Sequence, residues 1–205
     1  MSIFQKEILT KEQLKLLQLI RKFKRSFYMV GGTAIALQIG HRRSVDFDLF
    51  TQSRIKRKVL EDRIKKNGFR LKTLYQTPQE WTLFIGNVKI TFYQFLYPVK
   101  SELNFVDIIK MPSLIDLAAM KAYALGERAK WKDYVDLYFI FQKDVTLKKI
   151  ASNAGRIFGE GFSEKLFREQ LTYFDDINYE EEVEYLIPEP SKDEIKKYLT
   201  KIALQ

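Results

Sequence analysis

A chain of 205 residues that is 46% apolar and 14% aromatic carries enough material for one packed core of ordinary size, or one core with a helical extension, and is not a disordered polymer. It has no cysteine and one histidine, His41, which excludes disulfides, thiolate chemistry and thiolate- or histidine-rich metal sites. The net charge of +9 is concentrated early: residues 1–110 hold 21 Lys and Arg against 9 Asp and Glu, and the remainder holds 14 against 17. A polyanion is therefore expected on the N-terminal half, although a solvated lysine-rich surface has the same composition.

The N-terminal stretch lacks the apolar region and cleavage site of a signal peptide, and no apolar run approaches the roughly 20 residues of a membrane span. A cytoplasmic protein with no membrane partner is expected. In chain order, residues 10–24 read as an amphipathic helix capped by Thr10, with Leu14, Leu17, Ile20 and Phe23 at helical spacing. Residues 27–30 form a short apolar strand that ends on Gly31-Gly32, and residues 33–39 a helix stopped by Gly40. Residues 45–50 alternate as a strand does, and residues 56–67 make a basic helix closed by Gly68. Strands follow over 69–75, 81–85, 88–96 and 105–109, with a hairpin turn at Gly86-Asn87. From Pro112 the pattern is helical, over 112–128, 130–141, 147–158, 163–170 and 191–204, with an acidic, Pro-flanked linker at 175–190. The expected fold is α/β (α+β): a mixed-sheet core over residues 1–111 followed by a C-terminal helical bundle over 112–205.

Two acids, Asp46 and Asp48, interrupt the apolar run after the glycine pair. On a strand, residues i and i+2 share a face about 6.6 Å apart, so the two carboxylates project side by side while Val45, Phe47 and Leu49 face the core. Such a pair repels unless a cation sits between its members. Hard divalent ions prefer oxygen ligands, and two-metal phosphoryl-transfer sites use carboxylates that bridge ions about 4 Å apart. Gly31-Gly32 lets the backbone approach a phosphate at a helix N-terminus, where free N–H groups favour anions. Strand, glycine pair, helix and acidic strand, with thirteen residues between Gly32 and Asp46, together suit a nucleoside triphosphate with its metal. Either feature alone is equally well a solvated strand end or an ordinary turn.

The string from Phe27 to Phe50, FYMVGGTAIALQIGHRRSVDFDLF, resembles the first motif of the AbiEii/AbiGii nucleotidyltransferases, toxins of type IV toxin–antitoxin and abortive-infection systems built on the DNA polymerase beta-type fold. Residues 114–125 (LIDLAAMKAYAL) and 128–137 (RAKWKDYVDL) resemble the family's lysine helix and basic-Asp helix, so the resemblance covers about residues 25–140. It implies that Gly31 and Gly32, with Thr33 and Ser44 beside them, bind the triphosphate. Asp46 and Asp48 would then bind Mg²⁺, with Mn²⁺ as the alternative ion, Lys121 would contact phosphate, and Asp133 would be the acid of the helical motif. Lys121 and Arg128 are seven residues apart, on one helix face, able to meet an anion together. Lys132 and Asp136 read equally well as a surface pair at i,i+4.

The later strand of many polymerase-beta-type enzymes carries a third carboxylate; the matching position here is Thr91. His41 reads as a local hydrogen-bonding residue rather than a general base. Arg42, Arg43, Arg54, Lys56, Arg57, Lys58 and Arg128 are the expected contacts to a nucleic-acid backbone. The function implied is transfer of NMP from an NTP to a hydroxyl, with RNA, and tRNA in particular, as acceptor, a small molecule as the alternative acceptor, and a cognate antitoxin as partner. The alternative is a weakened relative that binds nucleotide, nucleic acid or antitoxin without turnover, which Thr91 favours.

Overall fold

A computed structural model describes residues 4–205 as a mixed sheet flanked by helices, followed by a helical half. Helix α1 (Lys11–Arg21) starts on a reciprocal cap: the Gln13 amide donates to Thr10 Oγ1 at 3.1 Å, and the Thr10 amide donates to Gln13 Oε1 at 3.0 Å. Its apolar stripe is rotated from the expected one. Leu16, Leu19, Ile20 and Phe23 are buried, Leu17 is half-buried and Leu14 is exposed. The rotation follows from Gln13, which turns inward and donates to the Ser44 carbonyl at 2.9 Å.

Strand β1 (Tyr28–Val30) runs directly into α2 (Gly31–Ile39), which Gly40 ends at φ 70°. Strand β2 (Phe47–Thr51) returns antiparallel to β1, and α3 (Arg57–Lys66) then leads to β3 (Lys72–Gln76), β4 (Glu80–Ile85) and β5 (Val88–Gln94). The sheet order is β1-β2-β5-β4-β3, with β2 and β5 parallel and the other pairs antiparallel. One face packs Phe47, Leu49, Trp81, Leu83, Ile90 and Phe92 into the core, each worth about 1.5–3 kcal/mol when fully buried. Asp48, Thr82, Lys89, Thr91 and Tyr93 stand on the other face, which the fold leaves open. Strand β3 is an edge strand, exposed throughout, and begins at Lys72 rather than at Phe69.

Where one strand was expected over 105–109, there is a hairpin of β6 (Leu103–Phe105) and β7 (Ile109–Met111). Val106 and Asp107 adopt φ 48° and 56° and reverse the chain, and the Asp107 carboxylate accepts from both Arg21 and Lys24. Beyond it, α4 (Leu114–Glu127) is capped by Ser113, and α5 (Trp131–Phe141), α6 (Leu147–Phe158), α7 (Glu164–Gln170) and α8 (Lys192–Ala203) complete the helical half. Helix α2 packs on α4 and α5, α4 on α6 and α7, and α5 on α8. Most buried apolar side chains form one contiguous cluster from Ile8 to Ala203, crossing the 111/112 boundary, and Ala119, Ala154, Ile157 and Phe158 form a second, smaller one. The acidic segment 175–190 has no helix but is tied down: Arg42 bridges Tyr185, Lys130 bridges Asn178, and the Arg43 amide donates to the Glu184 carbonyl at 2.8 Å. Among the described residues no helix is long and apolar enough to cross a membrane.

Candidate active site

A cleft of about 630 Å³ opens between the outward sheet face, the start of α2 and the corner where α4 meets α5. Asp48 lies on β2 with Val30 of β1 on one side and Thr91 of β5 on the other. Asp46 precedes the strand by one residue, and both acids line the cleft. Val45, expected in the core with Phe47 and Leu49, is instead 45% exposed, because the strand begins only at Phe47 and residue 45 belongs to the preceding loop. Burial and then the charge of Asp46 push the Asp48 carboxyl above its ordinary range, against the pull of Lys89, Lys121 and Arg128.

The glycine pair gives close approach here first to side chains. Gly31 sits at φ 74°, and a Cβ on it would run into Asp48 Oδ2; a Cβ on Gly32 would run into the Arg42 guanidinium. A side chain at either position would require the Asp48 carboxylate or the Arg42 guanidinium to shift, and at Gly31 the positive φ adds strain. The Thr33 hydroxyl donates to the Asp46 carbonyl and lies 2.9 Å from Ser44 Oγ, so the turn and the acidic strand are stitched together at their base. Thr33 itself is buried and does not reach the cleft, whereas Ser44 does.

Lys121 projects from α4 and is 8% exposed, yet it lines the cleft. Its partners are not Asp46 and Asp48, as its expected position would give, but Asp133 and, at 2.9 Å, Asp136, one turn apart on α5. Burial alone would lower the Lys121 pKa; the two acids outweigh it and hold it up. Asp136 is fully buried rather than a surface partner of Lys132. Arg42 clamps it from Nε at 2.7 Å and Nη2 at 3.0 Å, and His41 Nε2 lies 2.7 Å away. Burial pushes the Asp136 carboxyl up, but Arg42, Lys121 and His41 prevail and keep it well below the ordinary range. Arg128 reaches Asp133 Oδ2 only at 3.6 Å, and that oxygen, although buried, accepts no hydrogen bond among the described residues.

The expected nucleic-acid contacts divide. Arg42 is 2% exposed and committed to Asp136, so it is not a surface residue for an RNA backbone. Arg43 is paired with Glu184 at 2.7 Å and donates to the Glu7 and Ile8 carbonyls, so it too is occupied. Arg54, Lys56 and Lys58 are exposed and Arg57 is half-buried, all just before or at the start of α3 and outside the cleft. Arg128 lines the cleft mouth.

Four features of the site lie outside the sequence-based set. Lys89 Nζ is 2.7 Å from Asp46 Oδ2; its place two residues before Thr91 on an alternating strand was the available signal. Thr82 Oγ lies 3.4 Å from Thr91 Oγ and donates to Glu80 at 2.7 Å, a pairing across strands that no local pattern announces. Phe50, Tyr93, Phe95 and Tyr123 make an aromatic wall, with Phe50 5.1 Å from Tyr93 and 5.2 Å from Phe95. Glu181 of the acidic segment reaches the cleft mouth, where Lys130, at 2.7 Å, and then Lys132 lower its pKa to about 2.

Comparison with known proteins agrees with this fold. A family model described as "Nucleotidyl transferase AbiEii toxin, Type IV TA system" matches residues 16–77 and 97–202. An uncharacterised protein of Aquifex aeolicus (strain VF5), aq_aa25, is 30% identical over 186 residues, covering 84% of this chain and 88% of its own. Among solved structures, the nucleotidyltransferase toxin MenT4 of Mycobacterium tuberculosis H37Rv superposes with TM-score 0.64 at 13% identity, over 93% of this chain and 80% of its own. JHP933 of Helicobacter pylori does so with TM-score 0.56 at 18% identity, over 96% and 92%. The antibiotic-resistance factor ANT(2'')-Ia gives 0.52 at 14%, over 71% and 89%.

Proposed function

The chain belongs to the AbiEii nucleotidyl transferase toxin family of type IV toxin–antitoxin systems, and on that premise we propose that its cleft moves NMP from an NTP to a hydroxyl acceptor, with RNA, tRNA foremost, as that acceptor. The observation that carries the reading is the convergence of Asp46, Asp48, the Gly31-Gly32 turn and Lys121 on one cleft from three separate elements. Asp46 and Asp48 fit one Mg²⁺, because that ion is commonly held by one or two carboxylates plus substrate phosphates. Bound there, the ion neutralises charge on the phosphates. The chain's own residues do the rest by positioning and charge. Residues 31 and 32 present the start of α2 to the triphosphate. Lys121, locked by Asp133 and Asp136, presents an ammonium of fixed direction to a phosphate oxygen.

Residues 1–111 serve as the nucleotidyltransferase core, and residues 112–205 supply Lys121, Arg128 and Asp133 to it. Membership in a type IV system implies a cognate antitoxin, and the protein acts in the cytoplasm. The acceptor reading rests on the basic N-terminal half, where Arg54, Lys56 and Lys58 stand exposed. A second reading, binding without turnover, is favoured by Thr91 beside Asp48 in place of an acid.

The two readings separate in one experiment. The protein is incubated with total RNA, Mg²⁺ and each α-labelled NTP in turn. Label retained on RNA, and absent with Asp46→Asn, is the expected result. Nucleotide binding without label on RNA or any small hydroxyl compound would favour the second reading.

A further inference from the structure

Resting on the reading of the cleft as a nucleotidyltransferase site, we propose that it works with a single divalent cation and that the Lys89 ammonium stands in the place of a second one. Lys89 and Thr91 are neighbours on one face of β5, and Thr91 pairs with Asp48 across the parallel β2–β5 ladder. Lys89 Nζ lies 2.7 Å from Asp46 Oδ2, with both side chains about one-third exposed, at 32% and 31%. The ammonium is therefore bound to Asp46, and both residues line the cleft.

Two cations about 4 Å apart need carboxylates that bridge them. Among the described residues no group of three or more His, Asp or Glu could hold a metal ion. The strand position beside Asp48 offers only the Thr91 hydroxyl, and the nearest further acid on that face, Glu80, accepts from Thr82 at 2.7 Å on the next strand out. Two carboxylates carry two negative charges, which one divalent ion already balances. A second ion at Asp46 would meet the Lys89 ammonium head-on, and like charges at such a site repel strongly. Charge that develops on the phosphate oxygens during transfer would still call for a further positive partner beside that ion. Lys89 is placed to supply it.

In the transfer, the acceptor oxygen forms its bond to the α-phosphorus as the bond to the pyrophosphate oxygen breaks. Pyrophosphate leaves, and the hydroxyl proton passes to solvent. Lys89 neither takes nor gives a proton; it stabilises charge that develops on the oxygens, as fixed donors do in preorganised sites.

Counting bound metal tests this without turnover. Mn²⁺ bound per chain is measured by electron paramagnetic resonance in the presence of saturating α,β-methylene analogues of the four NTPs. The expected count is one per chain. Without nucleotide, Lys89→Met should bind Mn²⁺ at least tenfold more tightly than the wild type, because a repelling charge has gone, whereas Lys89→Arg should keep the wild-type affinity. Two Mn²⁺ per wild-type chain, or an affinity unchanged in Lys89→Met, would overturn the single-cation proposal and leave the nucleotidyltransferase reading intact. No Mn²⁺ at all with the analogues would overturn both.

Discussion

Asp48 and Asp136 are both acids on apolar ground, and opposite forces act on them. Asp48 is pushed up by burial and by Asp46, so its charge is a cost to the fold that a bound cation would relieve. Asp48→Asn is expected to abolish label transfer while leaving the thermal midpoint unchanged or raised. A fall in stability of about 2 kcal/mol or more would mark the residue as structural. Asp136 is the reverse case, an acid held ionised by Arg42, Lys121 and His41. Its folded pKa is depressed, so its contribution is complete above the unfolded value near 3.9 and is lost as pH falls below it toward the folded value. Asp136→Asn should cost about 3–5 kcal/mol at pH 7, because it strands buried Arg42 and Lys121. It should also reduce the loss of stability between about pH 5 and pH 2, since one of the groups responsible for that slope is gone while others, Glu181 among them, remain. Urea unfolding across this range measures both effects. At this scale Asp46 and Asp48 were legible because they break an apolar alternation. Arg42 was not, since a basic residue in a loop reads as surface until the acid that buries it, 94 residues on, is known.

Among the elements, the β1–α2–β2 unit was read nearly to its boundaries, because glycines and strict alternation mark every joint. Gly31 is the joint under most constraint. Gly31→Ala combines an unfavourable φ with a collision at Asp48. It is expected to cost about 1–3 kcal/mol in urea unfolding and to displace the Asp48 carboxylate. An alanine variant of wild-type stability would show that the turn relaxes and that the glycine is not required there. The β6–β7 hairpin was missed because Val106, a β-branched residue, rarely adopts φ above zero, although Asp107 tolerates it; Arg21 and Lys24 pair with Asp107 there. Helix α3 was legible as basic but not as engaged or free. Replacing Arg54, Lys56, Arg57 and Lys58 by Gln should weaken RNA binding and reduce the log–log salt slope by nearly one unit per lost phosphate contact for duplex, less for single strands. An unchanged slope would leave that helix a solvated surface.

For the whole molecule, the site exists because the helical half carries Lys121 and Asp133 to a sheet built by the other half. Lys121→Ala removes the ammonium and leaves Asp133 and Asp136 with fewer partners. It should lower transfer at least tenfold, about 1.4 kcal/mol, with Lys121→Arg rescuing only in part because a planar fork does not replace a compact ammonium. The order of elements could be read from periodicity, but their meeting could not. The acidic segment 175–190 has no periodicity, and only its pairing with Arg43, Lys130 and Lys132 places it at the cleft. The most direct measurement is anomalous diffraction from crystals of the protein with Mn²⁺ and the α,β-methylene NTP analogues. The expected result is a Mn²⁺ peak bound by Asp46 and Asp48, with the triphosphate lying between the Gly31-Gly32 turn and Lys121. A nucleotide seated elsewhere, with no ion at the two aspartates, would contradict the assignment of this cleft.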